Sequence, residues 1–221
     1  MNYIKFTPTR PTKRGGFTLI EILIVIGIIV LLMGISTQML GTVGEAQGRA
    51  KAKADMALIA TGLEAFFNQY DTYPRISAAG NEKQAAAELY KCLTGKMIAV
   101  IKNGQIVMSD TGKETKPFVD VSKLRIGDPS DPTADKVDPE KGGVFFIDPW
   151  FNPYLYFYST GNTLNTETAT WRAQGFLLLS KGPDGKDKNV ESMYTTGIMP
   201  DSDDYRNVTE NLDNIVHGLE D

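Results

Sequence analysis

The sequence predicts an α+β chain in which one long N-terminal helix, apolar enough in its first half to cross a bilayer, packs its second half on a small antiparallel sheet. Three observations carry this. Residues 22–35 hold no charged or polar side chain, apolar residues then recur at helical intervals as far as Tyr70, and aromatic and branched runs separated by turn residues fill the stretch from Gly143 to Ser180.

The helix is expected to begin at Phe17. From there to Ile35 is nineteen residues, close to the roughly 20 that span a hydrocarbon core. Lys5, Arg10, Lys13 and Arg14 precede it with no acid among them, so residues 1–16 are expected on the cytoplasmic side and the bulk of the chain across the membrane. One carboxylate, Glu21, lies at the head of the apolar run. Burying it in lipid costs about 2.5 to 3.5 kcal/mol, so it is expected to have a partner or a function.

A secretory signal carries its small cleavage-site residues after the apolar run; here Gly15 and Gly16 come before it. The block Gly16-Phe17-Thr18-Leu19-Ile20-Glu21, set between a basic leader and a long apolar helix, resembles the processing site of type IV prepilins and of the pseudopilins of type II secretion. The resemblance implies a pilin-like fold, removal of residues 1–16 by a prepilin peptidase that cuts after Gly16, N-methylation of Phe17, and a role for Glu21 in assembly. The positive amine of Phe17 on a neighbouring copy is then the nearest partner for Glu21, and pairing would set the axial offset between copies.

This gives a division into a leader (1–16), a transmembrane and polymerisation half-helix (17–35), a second half-helix (36–73) and a globular part (74–221). The 23 basic and 27 acidic residues become 19 and 27 once the leader's four cations are removed. Such an acidic exported part argues against a nucleic-acid surface. Cys92 is the only cysteine, so no intrachain disulfide is available and the residue reads as a small buried apolar group. His217 is the only histidine and reads as an exposed tail residue; no Gly-x-Ser-x-Gly, His-Glu-x-x-His or phosphate-loop pattern occurs, and no enzyme is expected.

Beyond Ile35, the apolar positions Met39, Leu40, Val43, Met56, Ile59, Leu63, Phe66, Phe67 and Tyr70 continue the helical spacing to Pro74, which disfavours helix at Tyr73. A helix from Phe17 to Tyr70 would be about 80 Å long at 1.5 Å per residue. Gly34, Gly41, Gly44 and Gly48 lower its propensity and mark a weak zone or a close-packing face. A shorter helix is expected from Asn81, as N-cap, to Thr94, stopped by Gly95. A hairpin follows, Ile98–Ile101 and Gln105–Val107, turning at Asn103-Gly104. Residues 127–143, with Asp128-Pro129, Asp131-Pro132 and Asp138-Pro139, read as a surface loop. Val144–Ile147, Tyr154–Tyr158 and Gly175–Leu179 read as three antiparallel strands.

Two further segments sharpen the resemblance. Asp148-Pro149-Trp150-Phe151-Asn152-Pro153-Tyr154 is similar to the Asp-Pro-Trp-x-Asn-Pro-Tyr turn of the major pseudopilin, and Trp150 is expected against the long helix. Ser180-Lys181-Gly182-Pro183-Asp184-Gly185 is similar to that family's Ser-x-Gly-x-Asp-Gly loop, which binds Ca2+. The resemblance implies Asp184 and the backbone carbonyl of Lys181 as ligands. The tail adds Asp187, Asp201, Asp203, Asp204 and Asp213 as candidates; the resemblance, through the family's usual aspartate shortly before an isoleucine near the end, implies Asp213 in Leu212-Asp213-Asn214-Ile215 as the first choice, with Asp203 and Asp204 next. Calcium accepts six to eight carboxylate and carbonyl oxygens, which such a turn can offer.

The expected function is a structural subunit of a periplasmic pseudopilus: held in the bacterial inner membrane with its N-terminus cytoplasmic, then polymerised. The implied partners are copies of itself, minor pseudopilins, the prepilin peptidase and the inner-membrane assembly platform. The alternatives are a type IV pilin of a surface filament and a singly anchored module that never polymerises.

Overall fold

The computed structural model describes residues 16–76, 81–110, 112, 115–160, 174–188 and 203–218. The chain divides into two compact units, Met1–Gly44 and Glu45–Asp221.

In the first unit the helix α1 (Leu19–Tyr70) opens on a reciprocal cap. Glu21 Oε2 accepts from the Thr18 N–H and from Thr18 Oγ1, each at 2.8 Å, while Thr18 Oγ1 accepts from the Glu21 N–H at 3.3 Å. This capping box satisfies donors that a helix start leaves orphaned, and it explains why the helix begins at Leu19 rather than at Phe17. The apolar side chains from Leu19 to Met33 are exposed. Helical geometry continues through Gly34, Gly41, Gly44 and Gly48, so the glycines do not break the element. Among the described residues no helix is long and apolar enough to cross a membrane; the transmembrane expectation rests on the sequence of residues 17–35.

The second unit is built on the rest of α1. Ala52, Met56, Ile59, Leu63 and Phe66 are buried, at intervals of three and four that form one helical stripe. Each large side chain among them contributes roughly 1.5 to 3 kcal/mol by leaving water. The helix ends at Asp71, whose φ of 54° turns the chain before Pro74. The helix α2 (Glu82–Leu93) is capped by Asn81, which accepts from the Gln84 N–H at 3.2 Å, and it stops at Thr94 with Gly95 at φ +79°. Its Leu89, Tyr90 and Leu93 close on the α1 stripe.

The expected hairpin is present as β1 (Met97–Lys102) and β2 (Gln105–Asp110). Lys102 pairs with Gln105 across Asn103 and Gly104, both at positive φ, as a two-residue type I′ turn requires. The three expected aromatic strands form but do not share one sheet. Phe145–Phe146 (β4) pairs instead with Ile126–Gly127 (β3). Leu155–Thr160 (β5) and Gln174–Ser180 (β6) pair in register, and β6 takes Ile215–Val216 (β7) on its other side. The third strand of that sheet therefore comes from the tail, where a two-residue run is too short to show period-2 alternation. Between β6 and β7 lies the short helix α3 (Asp203–Arg206).

Residues 127–143 are the surface loop expected, and three of its four aspartates are taken locally. Asp128, Asp131 and Asp138 each accept the N–H two residues on, from Ser130, Thr133 and Glu140, and Asp128 also pairs with Lys141.

Candidate functional site

Two turns far apart in sequence meet at the end of the β5–β6 pair. Asp148 opens the first and is fully buried. Its Oδ1 accepts from the Trp150 and Asn152 N–H groups at 2.9 and 2.8 Å, which folds residues 148–152 back on themselves. Its Oδ2 accepts from Ser180 Oγ at 2.6 Å. Burial pushes the Asp148 pKa above its ordinary value, against the opposing pull of the Ser180, Asn152 and Trp150 bonds.

Ser180 opens the second turn, and its Oγ in turn accepts from the Gly182 N–H at 3.2 Å. Asn152 completes the join by donating from Nδ2 to the Gly182 carbonyl at 3.1 Å. Gly182 and Gly185 both sit at positive φ. A Cβ at Gly185 would lie 2.9 Å from Asn152 Oδ1, so the second turn needs glycine for space as well as for conformation.

The first turn also grips α1. The Trp150 ring lies against Gly48, where a Cβ would come within 2.7 Å of it. Tyr154, buried, directs its hydroxyl 3.4 Å from Oδ2 of Asp55, itself fully buried on α1 and paired with Lys51 at 2.6 Å. At the exposed corner Phe151 holds φ +71°, unusual for an aromatic residue, with the Arg125 guanidinium 4.4 Å over its ring.

The structure brings Asp184 and Asp213 together: Asp213 Oδ2 accepts the Asp184 N–H at 3.0 Å. Asp184 Oδ1 accepts the Lys186 N–H at 2.8 Å. Asn214 stands beside them with one carboxamide atom 3.1 Å from both the Lys181 and the Lys186 carbonyl oxygens. Two orientations of that amide are open. If nitrogen faces the carbonyls it donates to both, and the amide oxygen accepts from Tyr205 Oη at 3.0 Å. If oxygen faces them, nitrogen donates to Tyr205 Oη at 3.0 Å and to Asn211 Oδ1 at 3.3 Å, and three oxygens then converge as only a cation would tolerate. The two main-chain carbonyls and, in this second orientation, the amide oxygen are the kind of donors that a hard, oxygen-seeking ion such as Ca2+ takes.

Other candidates are placed elsewhere. Asp187 is not available, because its carboxylate pairs with Lys181 Nζ at 2.6 Å. Lys181 also reaches Glu82 in the first turn of α2 at 2.7 Å. Burial works to lower the Lys181 pKa, and the Asp187 and Glu82 bonds outweigh it, leaving it raised. Asp203 and Asp204 are exposed in α3, just before the buried Tyr205. Asp201 lies outside the described residues. Among the described residues no group of three or more His, Cys, Asp or Glu side chains is assembled for a metal, so any ion here relies on carbonyl and amide oxygens. Asn214 and the Lys186 carbonyl were not foreseen. An asparagine beside an aspartate was the only signal, and a main-chain carbonyl leaves none.

Of the N-terminal residues, Gly16 and Phe17 are exposed and precede the helix, and Glu21 is held in the Thr18 cap. Residues 1–15 lie outside the described residues. No curated protein and no solved structure matches the chain. Residues 11–37 match the family model described as the prokaryotic N-terminal methylation motif, the signal of type IV pilin-like prepilins. This supports a place for the chain among the pilins and pseudopilins, a family of structural subunits rather than enzymes.

Proposed function

We propose that this chain is the precursor of a pseudopilus subunit of type II secretion, held in the inner membrane by residues 17–35, cut after Gly16, methylated at Phe17 and polymerised through its N-terminal helix. Growth of such a fibre, driven by a cytoplasmic ATPase, would push folded proteins toward an outer-membrane channel. The methylation motif is common to pilins and pseudopilins. What favours the pseudopilin is the junction of the 148–154 turn, the 180–185 loop and Asp213, carried by the 3.0 Å bond between the Asp184 N–H and Asp213.

Within the subunit, Thr18 satisfies Glu21 with two donors in the single chain. On assembly that carboxylate exchanges Thr18 for the amine of a neighbouring Phe17, which sets subunit register. In the C-terminal unit, Asp184, Asp213, Asn214 and the carbonyls of Lys181 and Lys186 would hold Ca2+, which supplies the charge that lets these oxygens share one point. Asp148, Ser180 and Asn152 keep the loop in shape around it. The tail, with no disulfide to close it, is tied to the sheet by β7 and by this loop.

Electron microscopy of sheared cell material, with mass spectrometry of its N-terminal peptide, tests the reading. Short filaments beginning at a methylated Phe17 are expected, and Glu21→Ala should abolish them. An unprocessed Met1, or filaments unaffected by Glu21→Ala, would overturn it. Long surface fibres with adhesion or motility would favour the type IV pilin instead. For the cation, titrating Ca2+ into the full chain in detergent should raise its melting temperature and protect the tail from protease; no change in either rules the site out.

A further inference from the structure

We infer that the 148–154 turn makes the cation loop and the helix α1 one linked unit, so that ion binding beside Lys181, Asp184, Lys186, Asp213 and Asn214 tightens the packing of α1 on the turn, and disturbing that packing weakens ion binding. The inference rests on the cation-loop reading above. Its physical basis is a continuous chain of contacts. From the loop, Gly182 O receives Asn152 Nδ2 at 3.1 Å, and Ser180 Oγ donates to Asp148 at 2.6 Å. From Asp148, Oδ1 holds the Trp150 and Asn152 N–H groups. From the turn, the Trp150 ring lies on Gly48 and the Tyr154 hydroxyl approaches Asp55.

Three features make this more than adjacency. The two ends meet one short segment, in which Trp150, whose ring lies on Gly48, donates its N–H to the same Asp148 oxygen that holds the Asn152 N–H. The joining groups are buried: Asp148, Ser180 and Asp55 are fully so, and Tyr154 nearly so. A buried polar bond that loses its geometry leaves its donor and acceptor unsatisfied away from water, which makes intermediate positions unfavourable. The turn also carries the positive φ of Phe151, a conformation maintained only where the surroundings over-determine it. Two sites that bias one such element are coupled reciprocally, typically by 5- to 150-fold in affinity.

Two substitutions where the turn meets the helix touch no part of the loop. Gly48→Ala sets a methyl group against the Trp150 ring, and Tyr154→Phe removes the hydroxyl from Asp55. The matched control is Gly62→Ala on the same helix, where the new methyl group meets Val119 rather than the turn. Ca2+ affinity of the full chain in detergent would be measured by isothermal titration calorimetry, well below the melting temperature of every variant, together with amide hydrogen exchange of residues 45–60.

The expected result is an affinity about tenfold weaker in Gly48→Ala and Tyr154→Phe, unchanged in Gly62→Ala, and slower exchange in residues 45–60 of the unmodified chain when Ca2+ is added. Asn152→Ala should bind more weakly and lose most of that added protection. Equal affinity in all the helix variants with no protection of residues 45–60 would overturn the coupling and leave the cation site standing. A loss of affinity in Gly62→Ala as large as in Gly48→Ala would reduce the effect to general destabilisation and also overturn it. Failure of the unmodified chain to bind Ca2+ would overturn the site and the coupling together.

Discussion

Ser180 Oγ donates to Asp148 Oδ2 at 2.6 Å with both residues fully buried, although they are 32 positions apart. This bond joins the turn before β5 to the loop after β6. It decides which face of each turn looks inward: the Asp148 side toward the core and the Asp184 side toward solvent and Asp213.

Asp148→Ala leaves the Trp150 and Asn152 N–H groups and the Ser180 hydroxyl without their acceptor. At about 1 to 3 kcal/mol for each buried group left unpaired, a total loss of roughly 3 to 5 kcal/mol is expected, among the larger effects of single substitutions. Denaturant unfolding of the full chain measures it. Asp148→Asn, which keeps an acceptor oxygen, should lose less.

Asn211 is buried and holds the tail to the segment after the loop. Its Oδ1 accepts from the Lys188 N–H at 2.9 Å, and its Nδ2 donates to the Tyr205 carbonyl at 3.4 Å. Asn211→Ala should cost about 1 to 3 kcal/mol and expose residues 186–214 to limited proteolysis before the rest of the chain.

Cys92 is fully buried on the inner face of α2, and burial, with the Glu88 charge adding to it, pushes its thiol pKa up to about 12. Because the thiolate is the reactive form, iodoacetamide at pH 8 should leave the folded chain unlabelled and label it fully in denaturant. Rapid labelling under native conditions would contradict the packing of α2 on the core.

His217 stacks on Phe176 with ring centroids 6.1 Å apart, and partial burial lowers its pKa from 6.5. The folded state then binds the proton less readily than the unfolded one. The stability that follows from neutral His217 is fully present above pH 6.5 and falls as pH drops from there toward its folded pKa. His217→Phe, which keeps an aromatic ring on Phe176, should remove this part of the pH dependence, as melting temperatures between pH 7.5 and 5 would show.

The N-terminal methylation motif and the long helix are legible from residues 11–70 because their signals are local: charge before an apolar run, small residues before Phe17, a period of 3.6. The caps at Asn81 and Gly95 and the Asn103-Gly104 hairpin are legible for the same reason, since each depends on φ, ψ and hydrogen bonds within four residues. Asp184 and Asp213 were found through resemblance, and the fold brings them into contact. Pairing between distant segments was not legible. The sequence does not reveal that Phe145–Phe146 takes Ile126–Gly127 as its partner, or that Ile215–Val216 closes the sheet, because short strands carry no register information of their own. It offered Asp187 as a candidate ligand, whereas the fold sets its carboxylate against Lys181 Nζ. It showed two separate turns, whereas the fold makes them one buried junction through Asp148, Ser180 and Asn152. Local chemistry along the chain determined the elements, and burial of polar groups, which only the packed structure specifies, decided which elements depend on one another.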